Sequence, residues 1–355
     1  MKATITIIGI ILLSLFSYTL ANGQDKTVKK TSTGYGFNKE FIHKAKGINL
    51  LNIKNKYGNV TIEGWDKDSV QIVYEVSIDT YNKKLAQEIR NQITIREYTT
   101  GKGLFVKTIF EEDFHSAFTF SIDYKINIPF KLKTEIKTGF GNTFLKDVQG
   151  KVSIKAEYGK LFITNQNSEE APELNLSLDF VEGEIEHAKS ARLNLNNCAF
   201  DINRINEIDG ETKFSMIDID EVNRVKLISE IDRFNISRAD SVTITGEKSF
   251  CSIENLSLFG HFEINTGGLK VGVGNTLKSL TVANERANSD IKLPANLSYL
   301  IHGEVNRGVF SHYQQSNLRV SREHETISFS GEFGDDPTTN IIIFNTSSNL
   351  SVRRK

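Results

Sequence analysis

The chain has 355 residues, of which 39% are hydrophobic and 25% are charged, and its formal net charge is −1. This composition is that of a folded protein and excludes a disordered chain, and the length allows one large domain or two ordinary ones. A charge so close to zero gives no electrostatic basis for binding nucleic acid or an anionic membrane, so we expect neither as a partner.

The chain opens with a segment typical of an exported protein. Lys2 precedes an apolar run, and small residues follow at Ala21 and Gly23. This pattern predicts a secretory signal peptide over residues 1–23, with the mature protein in the periplasm or on the outer cell surface and not inserted in the membrane. A retained membrane anchor is the alternative, although two serines interrupt the apolar run.

Residues 24–130 are predicted to form N-terminal strands and one helix that start or cap a repeat. Apolar and polar residues alternate in the first part of this segment, as in half-buried strands. Over 81–94, Leu85, Ile89 and Ile93 recur every fourth residue. This spacing predicts an amphipathic helix.

Residues 131–355 are predicted to form short repeated β-strands with a C-terminal cap. Aromatic residues recur about every 20 residues, the period range of stacked repeats, and most are followed five residues later by an aliphatic residue. Three precede glycine, in the pairs Tyr57-Gly58, Phe140-Gly141 and Tyr158-Gly159. We interpret the aromatic positions as structural positions of the repeat: Tyr57, Phe140, Tyr158, Phe180, Phe200, Phe214, Phe234 and Phe250.

The glycine of each pair is expected to make a corner. Before Gly159 the apolar residues occupy even positions that end at Tyr158, and after it they occupy odd positions that begin at Leu161. One residue is therefore inserted into the alternation, which requires a bulge or a corner. The pattern predicts a strand, a corner and a second strand, with Tyr158 facing inward.

A repeat of this size cannot be stable alone. Burying four or five apolar side chains stabilises it by roughly 1.5–3 kcal/mol each, whereas ordering the backbone costs about 1–2 kcal/mol per residue. Neighbouring repeats must supply the difference, as in a stacked solenoid. A sandwich of hairpins is the alternative, but it requires frequent Asn-Gly or Asp-Gly turns, and beyond residues 1–23 the sequence contains only Asp209-Gly210. The predicted fold class is all-β, a single-stranded parallel β-solenoid with one N-terminal capping helix.

No motif indicates catalysis or a cofactor. The histidines include no pair at ligand spacing on a helix, and a GxSxG motif is absent, so we expect no metal site, no cofactor and no catalytic residue. Cys198 and Cys251 are interpreted as small buried apolar residues, with pairing left open.

Carboxylates could be catalytic in such a fold, because parallel β-helices include polysaccharide-cleaving enzymes. Two catalytic acids at equivalent positions of adjacent layers would lie about 5 Å apart, the spacing of neighbouring strands. The candidates are Glu182, Glu184, Glu186, Asp201, Asp218 and Asp220. No acidic column is evident from their spacing, which favours a solvated surface, and the outward aromatics Trp65 and Tyr81 form no ladder for sugars.

Three segments resemble a known family: LNIKNKYGNVTIEGWDKDSVQIVYEVSI, FSIDYKINIPFKLKTEIKTGFGNTFLKDVQGKVSIKAEYGKLFITN and TTNIIIFNTSSNLSV. They are similar to the adhesin-like β-strand-repeat proteins of Bacteroidetes-type bacteria, which are exported proteins of unknown function. The family's KYGN step is found at residues 56–59, its helix at 81–94, and its I-x-Y-x-x-x-x-P strand at 122–129. Residues 165–260 depart most, because they keep aromatics and lose glycines. The resemblance implies a right-handed β-solenoid after a signal peptide and no catalytic residues.

The expected function is therefore that of an exported, non-enzymatic binding or scaffold protein of the bacterial envelope. Its partner would be a glycan or another envelope protein. The resemblance also implies an alternative, a periplasmic accessory of envelope-stress signalling through sigma and anti-sigma factors. A polysaccharide-cleaving β-helix enzyme is a third possibility.

Overall fold

The computed structural model describes residues 27–165, 170–314 and 316–355. The predicted signal peptide at 1–23 lies outside the described residues. In the described ranges the chain is mostly β-strand with one short helix, as predicted, and the strands join one mixed, mostly parallel sheet. The elements in chain order are β1 (Thr27–Lys30), β2 (Tyr35–Lys44), β3 (Leu50–Lys54), β4 (Val60–Trp65), β5 (Ser69–Ile78), α1 (Lys83–Asn91), β6 (Ile93–Thr100), β7 (Gly103–Phe110), β8 (Phe120–Pro129), β9 (Lys133–Thr138), β10 (Thr143–Lys146), β11 (Val152–Thr164), β12 (Glu173–Asn196), β13 (Ala199–Lys213), β14 (Met216–Glu230), β15 (Arg233–Val273), β16 (Ser279–Leu293), β17 (Tyr299–Asn306), β18 (Phe310–His312), β19 (Leu318–Glu323), β20 (Thr326–Phe333), β21 (Thr339–Thr346) and β22 (Leu350–Arg354).

The N-terminal part of the chain pairs its strands mainly antiparallel. β2 pairs with β1 and β5, β5 pairs with β8, and β6 pairs with β7. α1 packs through Ala86 and Ile89, and the side chain of Asn82 caps it by accepting two backbone N–H bonds at 3.0 and 3.3 Å. The helix is shorter than the predicted 81–94, because the chain re-enters the sheet at Ile93.

β3, β4 and the strands from β9 to β15 stack in parallel layers. β3 and β4 pair with β9 and β10, which pair with β11, and pairing then follows chain order through β12, β13, β14 and β15. Between β12 and the start of β15, successive layers are offset by 17 residues, so that Ala199 faces Met216 and Met216 faces Arg233. A constant offset places equivalent residues above one another and so produces columns along the stack.

The core consists of aliphatic columns inside these layers. The clearest contains, in layer order, Ile62, Leu145, Ile163, Ile185, Ile202, Ile219 and Ile236. All seven side chains are buried. β-Branched residues pack well on a pleated surface, and each buried side chain stabilises the fold by about 1.5–3 kcal/mol. A slip of one residue would turn the column to solvent, so it also fixes the register.

The last layers do not stack in chain order. β21 pairs in parallel with both β16 and β17, and β22 pairs with both β16 and β18. The segment 339–354 therefore lies between two layers that precede it in the sequence. β20 and β19 then add antiparallel strands outside β17. Within the described ranges, no helix has the length and apolar character needed to span a membrane.

Candidate functional site

From Tyr158 onward, one bend of each layer is formed by a residue with left-handed backbone. Residues with φ between about 50° and 60° at this bend are Tyr158, Phe180, Asn197, Phe214, Ile231, Lys248, Arg286, Arg307 and Ser347. This conformation is uncommon for residues other than glycine and is unfavourable by about 1–2 kcal/mol. It is supported here by the next layer, because the backbone N–H of Asn197 donates to the Lys213 carbonyl at 3.0 Å and that of Phe214 to the Glu230 carbonyl at 3.0 Å. The corner side chains all face solvent and form a column along one edge of the stack.

Four aromatic rings stack along this edge. Tyr57 and Phe140 have ring centroids 5.5 Å apart, Phe140 and Tyr158 are 5.2 Å apart, and Tyr158 and Phe180 are 5.1 Å apart. Their planes differ by only 4–9°. Phe140, Tyr158 and Phe180 each keep 45–48% of their surface exposed. We call these four residues the aromatic strip.

The N-terminal elements anchor one end of the strip. Tyr57 meets Phe110 and Phe120 edge to face, at 5.7 and 5.3 Å, and the ammonium group of Lys56 lies 5.1 Å from the centre of the Tyr57 ring. Tyr57 also forms a parallel bridge with Phe140, from the layer 83 residues further along. The strip is therefore held on a packed scaffold rather than on a loop.

Glycine permits the close approach of the layers at this edge. Gly58, Gly141 and Gly159 have φ values of 103°, 146° and 146°. A Cβ on Gly141 would lie 2.1 Å from the Gly58 carbonyl oxygen, and one on Gly159 would lie 2.2 Å from the Gly141 carbonyl oxygen. The corner expected from the alternation is present, but Tyr158 faces outward instead of inward, because the left-handed turn falls on Tyr158 itself.

Three of the aromatic repeat positions lie elsewhere in the layer. Phe200 and Phe234 are buried, with 3% and 0% of their surface exposed, whereas Phe250 is exposed. Their layers place other residues at the left-handed corner, namely Asn197, Ile231 and Lys248. Phe214 does occupy a corner, in the second layer after Phe180. The aromatic positions therefore fall on different columns, and only some of them are exposed together.

An acidic column lies on the adjoining face. Glu184 faces Asp201 and Asp201 faces Asp218 in the parallel register, which spaces neighbours by about 4.8 Å. Phe144 and Phe162 continue the column, with ring centroids 5.2 Å apart, and an open depression covers Phe162 and the three acids. The expectation that the acids form no column was wrong, because the 17-residue offset of these layers was not apparent from the aromatic spacing.

Trp65 and Tyr81 take no part in the ladder of stacked rings. Trp65 is bound locally, with its indole N–H donating to the Ser69 carbonyl at 2.8 Å, and Tyr81 lies beside the helix with 72% of its surface exposed. The ladder is instead built from the corner aromatics that were interpreted as purely structural. A structural position and an exposed ring are compatible here, because the left-handed corner turns the side chain away from the core.

The two cysteines are buried and unpaired. Burial raises the pKa of the Cys251 thiol to about 12, and burial is also the main cause of the raised pKa of Cys198. Both thiols therefore remain protonated at neutral pH, and a protonated thiol is neither a nucleophile nor a good metal ligand. Across the described residues, no group of three or more His, Cys, Asp or Glu side chains is placed to hold a metal ion.

Comparison with known proteins shows only distant structural likeness. No family model and no curated protein matches the chain. A putative cell adhesion protein from Clostridium sporogenes is 13% identical with a TM-score of 0.21, over 90% of this chain and 99% of that one. A putative lipid binding protein from Parabacteroides distasonis is 12% identical with a TM-score of 0.33, over 88% of this chain and 96% of that one.

Proposed function

We propose that the protein is an exported, non-enzymatic binding or scaffold protein of the bacterial envelope, built as a right-handed parallel β-solenoid. The constant offset between layers and the resulting columns support the solenoid. Parallel crossovers are right-handed in about 98% of cases, which supports the handedness. The partner would be a glycan or another envelope protein, recognised along the aromatic strip.

The aromatic strip is the observation that carries this proposal. Exposed contiguous apolar surface on a soluble protein marks an interaction site far more often than scattered apolar residues do. The rings of Phe140, Tyr158 and Phe180 are contiguous, rigidly held and half exposed. Their mutual stacking covers the ring faces, so a partner lying along the strip meets the ring edges in a shallow and extended contact.

A polysaccharide-cleaving enzyme is the second candidate, and the acidic column is the observation that favours it. In glycosidases that use two carboxyl groups, those groups flank the scissile bond from different sides. Glu184 and Asp201 point from neighbouring strands of one open face, so both would approach a sugar from the same side. This geometry favours binding over cleavage.

The test compares a strip variant with a matched control on a panel of immobilised laminarin, mannan, xylan, collagen and fibronectin. Phe140→Ser with Tyr158→Ser removes the centre of the strip, while Ile42→Ser with Phe344→Ser removes exposed apolar side chains outside it. We expect the wild type and the control to bind at least one surface and the strip variant to lose at least tenfold in affinity. Equal binding by both variants would contradict the proposal. Release of reducing sugar by the wild type, lost in Asp201→Asn, would favour the enzyme instead.

A further inference from the structure

The column of corner aromatics is interrupted at one layer. Phe180, Asn197 and Phe214 occupy the corner of three successive layers, with φ values of 54°, 53° and 51°. The residues two positions after them face one another in register, which shows that the three corners are aligned. Asn197 therefore lies in a gap between two aromatic side chains. We call this gap the notch.

The notch has the dimensions of one missing ring. Layers are spaced by about 4.8 Å, so two layers separate the backbones of Phe180 and Phe214 by roughly 10 Å. The Tyr158 and Phe180 rings, one layer step apart, have centroids 5.1 Å apart. A ring placed midway between Phe180 and Phe214 would thus continue the spacing of the aromatic strip. Among the described residues Phe180 stacks on a ring only on the Tyr158 side, and on its other side an open depression lies between it and Phe214.

The floor of the notch carries an unused amide. Asn197 is exposed, and its side chain makes no hydrogen bond to any described residue. Its NH₂ group can donate and its carbonyl oxygen can accept. The surrounding depression is lined by Phe180, Asn197 and Phe214, together with Glu182, Arg233 and Lys248. Glu182 forms an ion pair with Lys160 at 3.1 Å. The rim therefore carries charges of both signs and favours neither an anionic nor a cationic ligand.

We propose that the notch binds one neutral pyranose ring of a glycan, inserted edge first between Phe180 and Phe214. A pyranose presents C–H faces to the two aromatic rings and hydroxyl groups to the Asn197 amide. An aromatic side chain of a protein partner would fill the same space but would leave the amide without a partner once water was excluded, which is unfavourable. This assignment rests on the proposed binding function and specifies its ligand class.

Two substitutions at Asn197 separate the contributions of space and hydrogen bonding. Asn197→Phe fills the notch with the protein's own ring, and the backbone accepts it because Tyr158, Phe180 and Phe214 already hold aromatic side chains in the same conformation. Asn197→Gly permits the left-handed backbone, leaves the notch open and removes the side chain with its amide. Thr266→Phe is the matched control, since Thr266 is a left-handed residue with φ 65° in the same corner column, four layers beyond Asn197.

The measurement is the affinity of the full-length mature protein for cellohexaose, mannohexaose and xylohexaose, read by isothermal titration and by saturation-transfer NMR. We expect the wild type and Thr266→Phe to bind one of these equally, Asn197→Phe to lose at least tenfold, and Asn197→Gly to lose about three- to tenfold, as for one or two hydrogen bonds. Unchanged binding by Asn197→Phe, or no binding of any hexasaccharide by the wild type, would overturn the assignment. Competition by N-acetyltyrosinamide but not by sugars would assign the notch to an aromatic side chain instead.

These outcomes are distinguishable from failure of the proposed function. Asn197→Phe leaves Phe140 and Tyr158 in place, and the strip variant leaves Asn197, Phe180 and Phe214 in place. If only the strip variant lost partner binding, the proposed binding function would stand and the notch would have no part in it. If neither the strip variant nor Asn197→Phe lost binding, both the proposed function and the notch assignment would be contradicted.

Discussion

Gly141 and Gly159 let the backbones of neighbouring layers approach where the aromatic rings stack. At Gly159 the backbone has a φ of 146°, a conformation essentially closed to other residues, and the Gly141 carbonyl oxygen occupies the place of a Cβ. Neither feature follows from turn propensity alone. The glycine is required by close packing as well as by its dihedral angle.

We therefore expect Gly159→Ala to lower the free energy of unfolding by about 2–4 kcal/mol, since it combines backbone strain with a steric clash. The matched control is Gly101→Ala, because Gly101 has a φ of 56° and no atom near its would-be Cβ. That change should cost only about 1 kcal/mol. Urea unfolding followed by circular dichroism measures both, and equal losses would show that the close approach at Gly159 is not a constraint.

At the same scale, the sequence identified the right residue types at the corners but not their orientation. Alternation placed Tyr158 inside because period-two reasoning assumes extended backbone up to the glycine. In the structure Tyr158 itself has left-handed backbone, which reverses the direction of its side chain. A single-residue change of conformation at a corner leaves no periodic trace, so the exposed strip could not be predicted from the pattern.

At the scale of the element, the repeat length was obscured by the use of aromatics as markers. Phe200 and Phe234 lie three positions past the corners Asn197 and Ile231, whereas Phe180 and Phe214 are themselves corner residues. The spacing between successive aromatic residues was therefore irregular. The aliphatic residue five positions after a corner was the better marker. From Ile185 to Ile236 this column is isoleucine in every layer at the 17-residue offset. The period was therefore present in the sequence, in the buried column rather than in the aromatic one.

β21 illustrates what no local pattern could predict. Its apolar and polar residues alternate as in any strand, yet it lies between β16 and β17. Its position therefore depends on pairing with two strands that precede it in the sequence. Ile343 faces Val282 on one side and Gly303 on the other, and it is fully buried. The neighbouring Phe344 on the same strand is half exposed.

This insertion predicts a difference between two adjacent substitutions. Ile343→Ala should destabilise the fold by about 2–5 kcal/mol and increase amide hydrogen exchange in both β16 and β17. Phe344→Ala should change the free energy of unfolding by less than about 1 kcal/mol. Hydrogen exchange resolved by peptide provides the comparison. An Ile343→Ala effect confined to β17 would contradict the central position of β21.

At the scale of the whole molecule, the aromatic strip depends on long-range assembly. Tyr57 comes from the layer of β3 and β4, and its stacking partner Phe140 follows after the antiparallel strands and the helix. The predicted general architecture, mostly β with one helix, is confirmed, and composition and alternation were sufficient for it. The continuity of the strip was not predictable, because it depends on which distant layers become neighbours.

The arrangement of the candidate binding features over the whole molecule supports the proposed role. Stacked layers give a rigid support on which the strip, the notch and the acidic column run parallel to one another. Such an arrangement suits an extended partner that contacts several layers at once. A glycan chain or an extended segment of an envelope protein would have that form, and the alternative role in envelope-stress signalling would require a protein.

Photocrosslinking in living cells tests the central claim most directly. The photoreactive residue p-benzoylphenylalanine would replace Phe140 or Tyr158 in the strip, and Ile42 or Phe344 as exposed controls. We predict adducts from both strip positions and none from the controls, with the mass of the adduct distinguishing a glycan from an envelope protein. Adducts from the controls alone, or none from the strip in cells that express the protein at wild-type levels, would contradict the claim that the aromatic strip is the partner-binding surface.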